Sequence, residues 1–344
     1  MSKLMTAEML VGKALTSSTT STAFQRLNDE QIRTFLRLVV DGLNVMSADA
    51  RMVNVQAPEI DMANIDIVDG MMTGGLGATA QVQVADEVTP VFDGITLAPK
   101  PFEARLQFET TRLSLWNIEG AGLERTMDEI LATYYFNQLE EVFIHGNTAG
   151  ANPSGYATGM LTTTDGWITK AQSVGHVYDH GAAYVRPFLF ESMLDNMPVK
   201  WIGNEAARAG FRFYVPSQIE RQYKYWLKAT RQTALGDMQL TENGGIAYSG
   251  IPIVPVPKMH TDDAGVLTQS ATADGLSYAL LCQPSNKLIG FNPEMRVFKH
   301  PRDDGKVTYV NLWGEYDSGF YNEDAVVVAV NVTPTVDPTV AATA

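Results

Sequence analysis

The residues with the plainest chemical potential are the two imidazoles of HVYDH, His176 and His180, four apart with Asp179 between them. On a helix that spacing would turn both rings to one side, where they could share a zinc ion. Gly175 and Gly181 bracket the segment, however, and the glutamate of the zinc-protease pattern is missing, so two neighbouring loop histidines are the simpler reading. His145, His260 and His300 stand alone, and the chain has neither a G-x-S-x-G nucleophile turn nor a Walker-type lysine loop. Carboxylates are plentiful, but no spacing pairs two of them as acid and base. No catalytic, cofactor-binding or metal-binding residue is expected.

Two glycine-rich stretches could hold phosphate. GGLGATA, from Gly74, matches a dinucleotide fingerprint, but that motif works only between a strand and a helix, and the residues that follow, AQVQVADEV, alternate as a strand. A loop tip fits better. The second stretch, FIHGNTAGANPSGYATGM from Phe143, comes after an amphipathic run rather than before one. Phosphate loops use the free N–H groups at the start of a helix; the end of a helix offers free carbonyls, which repel phosphate. The glycines therefore read as the place where a helix stops and the chain turns.

Composition narrows the class further. A chain of 344 residues with 45% hydrophobic content has enough apolar side chain for a folded core, in about two packed units. A formal charge of −14 would repel free nucleic acid from most of the surface, so any contact with DNA should be passive, such as enclosing it. The single cysteine, Cys282 in YALLCQP, reads as a buried thiol on an apolar strand and rules out a disulfide framework. Glu8 and Lys13 interrupt the N-terminal apolar pattern, and AVVVAV falls far short of the ~20 residues that cross a bilayer, so no membrane role is expected.

The elements follow from periodicity. In NDEQIRTFLRLVVDGLNVM, Asn28 or Asp29 can cap a helix that carries Ile32, Phe35, Leu36, Val39 and Leu43 on one face, behind the loose TSSTTST segment. A helix of ~15 residues is marginal alone in water, so its stripe must dock on its own domain or on a neighbour. From Met52 to Phe108 the texture is β, with DGMMTGGLGA, including Met71 and Met72, as the tip of a long two-stranded projection. Leu123 to His145 forms the longest helix, with acids near its start and Gly146 and Asn147 as a C-terminal cap. FLFESMLDNM and SQIERQYKYWLKATRQ read as helices and FRFYVPS as a strand, a mixed α/β unit. Three prolines in IPIVPVP place it at a sheet edge or in an extended crossing. SYALLCQ, KLIGF, MRVFKH, KVTYVNLWGEYDSGFY and DAVVVAVNV are strands, with PRDDG as a hairpin turn, and TPTVDPTVAATA is a frayed tail.

A long helix with an acidic start, a short apolar and glycine segment and then N-x-P-x-G resembles the spine helix and following loop of tailed-bacteriophage major capsid proteins. GGIAYSGIPIVPVPKM also resembles a strand and methionine-containing loop of that family, and the order of elements is similar over nearly the whole chain. The resemblance implies an α+β, HK97-like fold: N-terminal arm 1–50, peripheral domain 51–59 and 105–183 with spine helix 123–145, extended β-hairpin loop (E-loop) 60–104, axial α/β domain 184–290, return strands 291–333 and a tail 334–344. Glu323 and Asp324 stand where the family's return strand usually has a proline.

The function so implied is a virion capsid protein, assembled in the bacterial host cytoplasm into an icosahedral shell of hexamers and pentamers that encloses double-stranded DNA without specific binding. An encapsulin-like bacterial compartment is the alternative. Scaffolding protein, portal and cement proteins are the implied partners; because only about fifty residues precede the β region, the resemblance implies a separate scaffolding protein or a cleaved precursor. Between Asp61 and Pro99 there is no lysine, so the covalent cross-linking that some family members make through this loop is not expected. A loose arm and a long hairpin both need neighbours to cover them, which makes Ile32, Phe35, Leu36, Val39, Met71 and Met72 the candidate inter-subunit contacts.

Overall fold

Alternating and continuous apolar runs divide the chain into strands whose pairing is given by a computed structural model. It describes residues 25–26, 45–66, 91–109, 135, 137–150, 159–203, 208–230, 246–259, 277–293, 296–301 and 307–334. The strands in chain order are β1 (Gln25–Arg26), β2 (Arg51–Asn54), β3 (Ile60–Asp66), β4 (Val91–Leu97), β5 (Lys100–Glu109), β6 (His176–Asp179) and β7 (Arg212–Pro216). They continue with β8 (Ile246–Tyr248), β9 (Ile251–Val256), β10 (Ser277–Cys282), β11 (Lys287–Phe291), β12 (Arg296–Pro301), β13 (Val307–Phe320) and β14 (Val326–Val332). The helices are α1 (Val45–Ala48), α2 (137–145), α3 (Trp167–Val174), α4 (Pro187–Asp195), α5 (Val199–Ile202) and α6 (Ser217–Thr230).

One six-stranded sheet runs β1-β12-β13-β11-β2, with β5 on β13; the other runs β6-β14-β10-β7-β9-β8. The fourteen residues of β13 organise the first sheet, pairing with β5 over Val307–Tyr316, with β12 over Thr308–Trp313 and with β11 over Tyr316–Phe320. The hairpin expected from MRVFKH and KVTYV is thus present, its turn lying outside the described residues.

The second sheet explains why YALLC and AVVVAV are apolar at nearly every position. Tyr214, Leu280, Cys282, Val326 and Val328 face a core shared with α2, α3 and the first sheet. Their immediate neighbours Phe213, Val215, Leu281, Val327 and Ala329 face the core beneath α4 and α6. A strand covered on both faces has no position left for a polar alternation. In the outer core Phe190 of α4 meets Phe213 and Tyr223 edge to face, with ring centroids 5.0 and 4.9 Å apart.

IPIVPVP lies between two strands but is paired on both sides only at Ile253: β9 pairs antiparallel with β8 over Ile251–Ile253 and parallel with β7 over Ile253–Val256, so each strand proline sits on a stretch with one open side, as the edge reading expects. The register shows how the prolines are accommodated. Ser249 and Gly250, with φ of 51° and 81°, form a two-residue turn closed by Tyr248 and Ile251. Pro252 then lies opposite Ala247 in a non-hydrogen-bonded pair, and Pro255 lies past the end of β8, so neither position calls for an N–H donor on that side.

The remaining strands, β3 and β4, form a two-stranded antiparallel sheet of their own, from Ile60↔Leu97 to Asp66↔Val91. Val55, Leu97 and Leu288 form a small separate core at its base. The tip with Met71 and Met72, and the helix expected from Asn28 onward, lie outside the described residues; of the helix expected over 123–145, residues 137–145 are helical and the part before Tyr135 is likewise not described.

Candidate functional site: where the N-terminal segment and the hairpin are rooted

Helix α2 packs where α1, α3 and β13 meet. It buries Leu139, Glu140, Val142, Phe143 and Ile144. Phe143 packs against Trp167 of α3 and Tyr316 of β13, at 5.9 and 6.3 Å between ring centroids, and Tyr135 against Tyr316 at 6.1 Å. The helix ends at Gly146 as expected. The left-handed conformation of a glycine cap occurs among described glycines only at 159, 181 and 250. A Cβ on Gly146 would lie 2.3 Å from the carbonyl oxygen of Thr164, and one on Gly166 2.8 Å from the carbonyl carbon of Ile144. The Gly166 amide donates to the Gly146 carbonyl at 2.8 Å, so the two glycines let two backbones touch.

One face of α2 holds the single turn α1. The carboxylate of Glu140 accepts from the amide of Met46 at 3.0 Å and also from that of Ser47. Lys287 of β11, fully buried, donates to the carbonyl of the same Met46 at 2.9 Å, with its ammonium 3.8 Å from the Tyr214 ring centroid. Asp49 completes the attachment, paired with Arg212 and accepting from the Tyr214 hydroxyl at 3.1 Å. Burial pushes Glu140 up to about 7, against the two amide bonds and the nearby Lys258 and Lys287. Burial pushes Lys287 down to about 8 and the Cys282 thiol up to about 12, an inert thiol as its sequence context suggests.

The hairpin is rooted by Asp317 of β13. One of its oxygens accepts from Thr164 at 2.8 Å, Lys170 at 3.1 Å and the Ser318 amide at 2.8 Å; the other accepts from the Ala98 amide at 2.9 Å, between β4 and β5. Beside it Leu97 fits over Gly290 and Gly319, where added Cβ atoms would come within 3.4 and 3.0 Å of it. Lys258 ties the far end of α2 to the second sheet, reaching Glu141 at 2.9 Å and the carbonyl of Asn137 at 3.1 Å. His145 meets the Lys258 carbonyl at 3.1 Å, and burial pushes its imidazole down to about 4.

HVYDH is a strand, β6, and not a loop or helix. At ~3.3 Å per residue this puts His176 and His180 ~13 Å apart, too far to share a metal ion. His180 donates through Nε2 to the Tyr184 carbonyl at 3.2 Å and accepts at Nδ1 from the Tyr178 hydroxyl at 3.3 Å, which occupies both ring nitrogens. Among the described residues no group of three His, Cys, Asp or Glu side chains could hold a metal, and no helix is long and apolar enough to cross a membrane. Ile32, Phe35, Leu36, Val39, Met71 and Met72 all lie outside the described residues.

Sequence reasoning passed over Glu140, Lys287 and Asp317, although two had a signal. Glu140 occupies the same helical row as Phe136 and Ile144, four residues to either side. Lys287 has the strand parity of Ile289 and Phe291, both buried in the shared core.

This arrangement fixes residues 45–50 and the root of the β3–β4 hairpin on the two packed sheets. No family model matches the chain. It is 25% identical over 307 residues, 89% of this chain and 92% of the other, to a protein of Bacillus subtilis (strain 168) named as a prophage capsid protein, YqbE. Its fold matches a chain of the satellite phage P4 procapsid with a TM-score of 0.58 at 11% identity, covering 88% of this chain and 99% of that one. The capsid of Myoviridae phage XM1 gives 0.53 at 14% identity, covering 84% and 92%, and Mycobacterium phage Cain 0.53 at 11%, covering 92% and 95%. The fold is the HK97-like fold of tailed-phage major capsid proteins. The chain is, by sequence, a homologue of a prophage capsid protein.

Proposed function

We propose that the chain is the major capsid protein of a tailed phage or prophage, joining copies of itself into an icosahedral shell around packaged double-stranded DNA. The observation that carries this reading is the sequence relationship to a prophage capsid protein over 89% of the chain. The two rooted projections support it, because a two-stranded hairpin is marginally stable by itself and gains cover from neighbouring subunits.

In this reading residues 60–104 are the extended loop, α2 is the end of the spine helix 123–145, and the sheet carrying α4 and α6 is the axial domain. The axial sheet takes in β14 and β6 as well as strands from 184–290, since β14 pairs with both β10 and β6. The arm, 1–50, contributes Ile32, Phe35, Leu36 and Val39 to contacts between subunits, and the loop tip Met71 and Met72. The role is structural rather than catalytic. A net charge of −14 suits a container whose lining must not adhere to its genome. A separate scaffolding protein, a portal and cement proteins are the proposed partners, and assembly takes place in the host cytoplasm before the protein becomes part of the virion.

The test is negative-stain microscopy of the full chain expressed with and without the scaffold encoded beside it. Closed isometric particles in either preparation are the expected result. Monomers or irregular aggregates in both would overturn the reading, and particles that retain a co-expressed enzyme cargo in place of DNA would move it to the encapsulin-like alternative.

A further inference from the structure

Shell building explains why the N-terminal segment must be rooted, but not why two buried charges do the rooting. Glu140 and Lys287 are both fully buried, and they grip the same residue, the carboxylate at the Met46 amide and the ammonium at the Met46 carbonyl. The second carboxylate oxygen of Glu140 is buried with no hydrogen-bond partner, and so is the hydroxyl of Ser47, whose amide also bonds Glu140. A carboxylate with one oxygen unsatisfied in an apolar setting is costly when ionised, whereas its protonated form gains a donor beside a turn that has an unused acceptor.

We propose that Glu140 and Lys287 form a clasp on the root of the N-terminal segment, and that loss of the proton from Glu140 loosens it. With α1 docked, burial raises Glu140 from 4.5 to about 7. With α1 undocked, water reaches the carboxylate and its affinity for a proton falls back. The docked state binds the proton more tightly, so by linkage acidification favours docking and a rise through neutrality disfavours it.

The other charged or titratable groups around the clasp are Lys258 after β9, Glu141 and His145 on α2, Asp49 behind α1, Arg212 and Tyr214 on β7, and Cys282 on β10. The His145 ring is neutral above about 4 and the Cys282 thiol intact below about 12, so neither titrates between pH 5.5 and 7.5; Lys287, at about 8, begins to lose its proton only at the top of that window and, being lowered by docking, acts there in the opposite sense to Glu140. If the preceding 44 residues are the arm of a shell subunit, the clasp sets how the arm leaves the body; only that consequence rests on the proposed function.

Hydrogen–deuterium exchange on the unassembled full chain tests the clasp independently of shell formation. After correction for intrinsic rates, protection of amides in 45–50 should fall ~20-fold between pH 5.5 and 7.5, the ratio that linkage gives for these two proton affinities. Peptides from β10 and β14 should not change. Glu140→Gln should remove the pH dependence. Asp49→Asn, which breaks the tie to Arg212 but leaves Glu140, should lower protection at both pH values and keep the same ratio, so it decides the matter if the glutamine variant fails to fold. Equal wild-type protection at both pH values, a pH dependence retained in Glu140→Gln, or its loss in Asp49→Asn would each overturn the proposal.

Discussion

A lysine ammonium enclosed by two aromatic rings and a carbonyl depends on its partners, and they on it. Lys287→Met would leave the Met46 carbonyl without its donor and Glu140 with Lys258 as its remaining nearby cation. Glu140 and Lys287 meet through Met46; removing one member of such a buried ionic cluster typically costs ~3 kcal/mol or more, while replacing both with apolar groups is far cheaper. Urea unfolding at pH 7 should show that loss for Lys287→Met and recovery of much of it in the double variant with Glu140→Leu; a single-variant loss below ~1 kcal/mol would show that the pair is not coupled to folding. His145 adds a pH prediction of opposite sense to Glu140. Its folded value, about 4, is below the usual 6.5, so the unfolded chain takes up the proton first. The neutral ring's contribution is complete above 6.5 and is lost as the pH falls through that window toward 4. Subtracting the stability profile of His145→Gln from that of the wild type should leave a rise with pH between these values, and a flat difference would contradict the assignment. Both Glu140 and Lys287 had a readable position in a row of apolar residues. What could not be read was the partner: the sequence places Met46 94 residues from Glu140 and 241 from Lys287.

At the scale of elements, one aspartate joins the hairpin root, α3 and β13. All of the partners of Asp317 approach as donors, and three of them, the amides of Ala98 and Ser318 and the Lys170 ammonium, can do nothing else. Asp317→Asn therefore turns an NH2 toward a backbone N–H in either orientation and gives up the charge opposite Lys170. A loss of ~2 kcal/mol is expected, since a buried donor is left unmet. Protease cleavage near Ala98 should accelerate more than cleavage elsewhere, and uniform acceleration would mean that Asp317 does not hold the root in particular. The elements themselves were largely legible: β3, β7, β10 to β14, α4 and α6 follow from alternation, apolar runs and caps. What the sequence left open concerns neighbours. IPIVPVP looked like an edge because prolines cannot donate, and each of its strand prolines does sit where one side is unpaired, although β9 as a whole lies between two strands. Gly146 ends α2 as the sequence suggests, and the closeness of the Thr164 carbonyl adds a reason for glycine there that the sequence does not show. Helix α3 starts at Gly166, which offers no side-chain acceptor, so it carried no start signal.

For the whole molecule the question is where the body ends and the proposed arm begins, and the packing of residues 45–50 argues for a boundary before Val45. The sequence puts it at Ala50, after which β texture begins. Met46 is nonetheless fully buried within the core shared by both sheets, and the turn around it is bound by Glu140, Lys287 and, through Asp49, Arg212. Energetically residues 45–50 belong to the body. Two truncations separate the alternatives. Removal of residues 1–44 discards only the two-residue pairing of β1 with β12 among the described contacts, so the product should fold with nearly wild-type urea stability. Removal of residues 1–50 strips the partners from two buried charges and takes Met46 out of the core, so it should lose several kcal/mol, on the order of 3 to 5, or fail to fold. If the first 44 residues lace subunits together, the shorter truncation gives a folded subunit that forms no closed particles by negative stain. Normal particles from it would remove the arm from assembly, and equal stability of the two truncations would return the boundary to Ala50. The comparison has to be made on both readouts, because a subunit that cannot fold also forms no shells and only the stability measurement distinguishes a missing contact from a missing core.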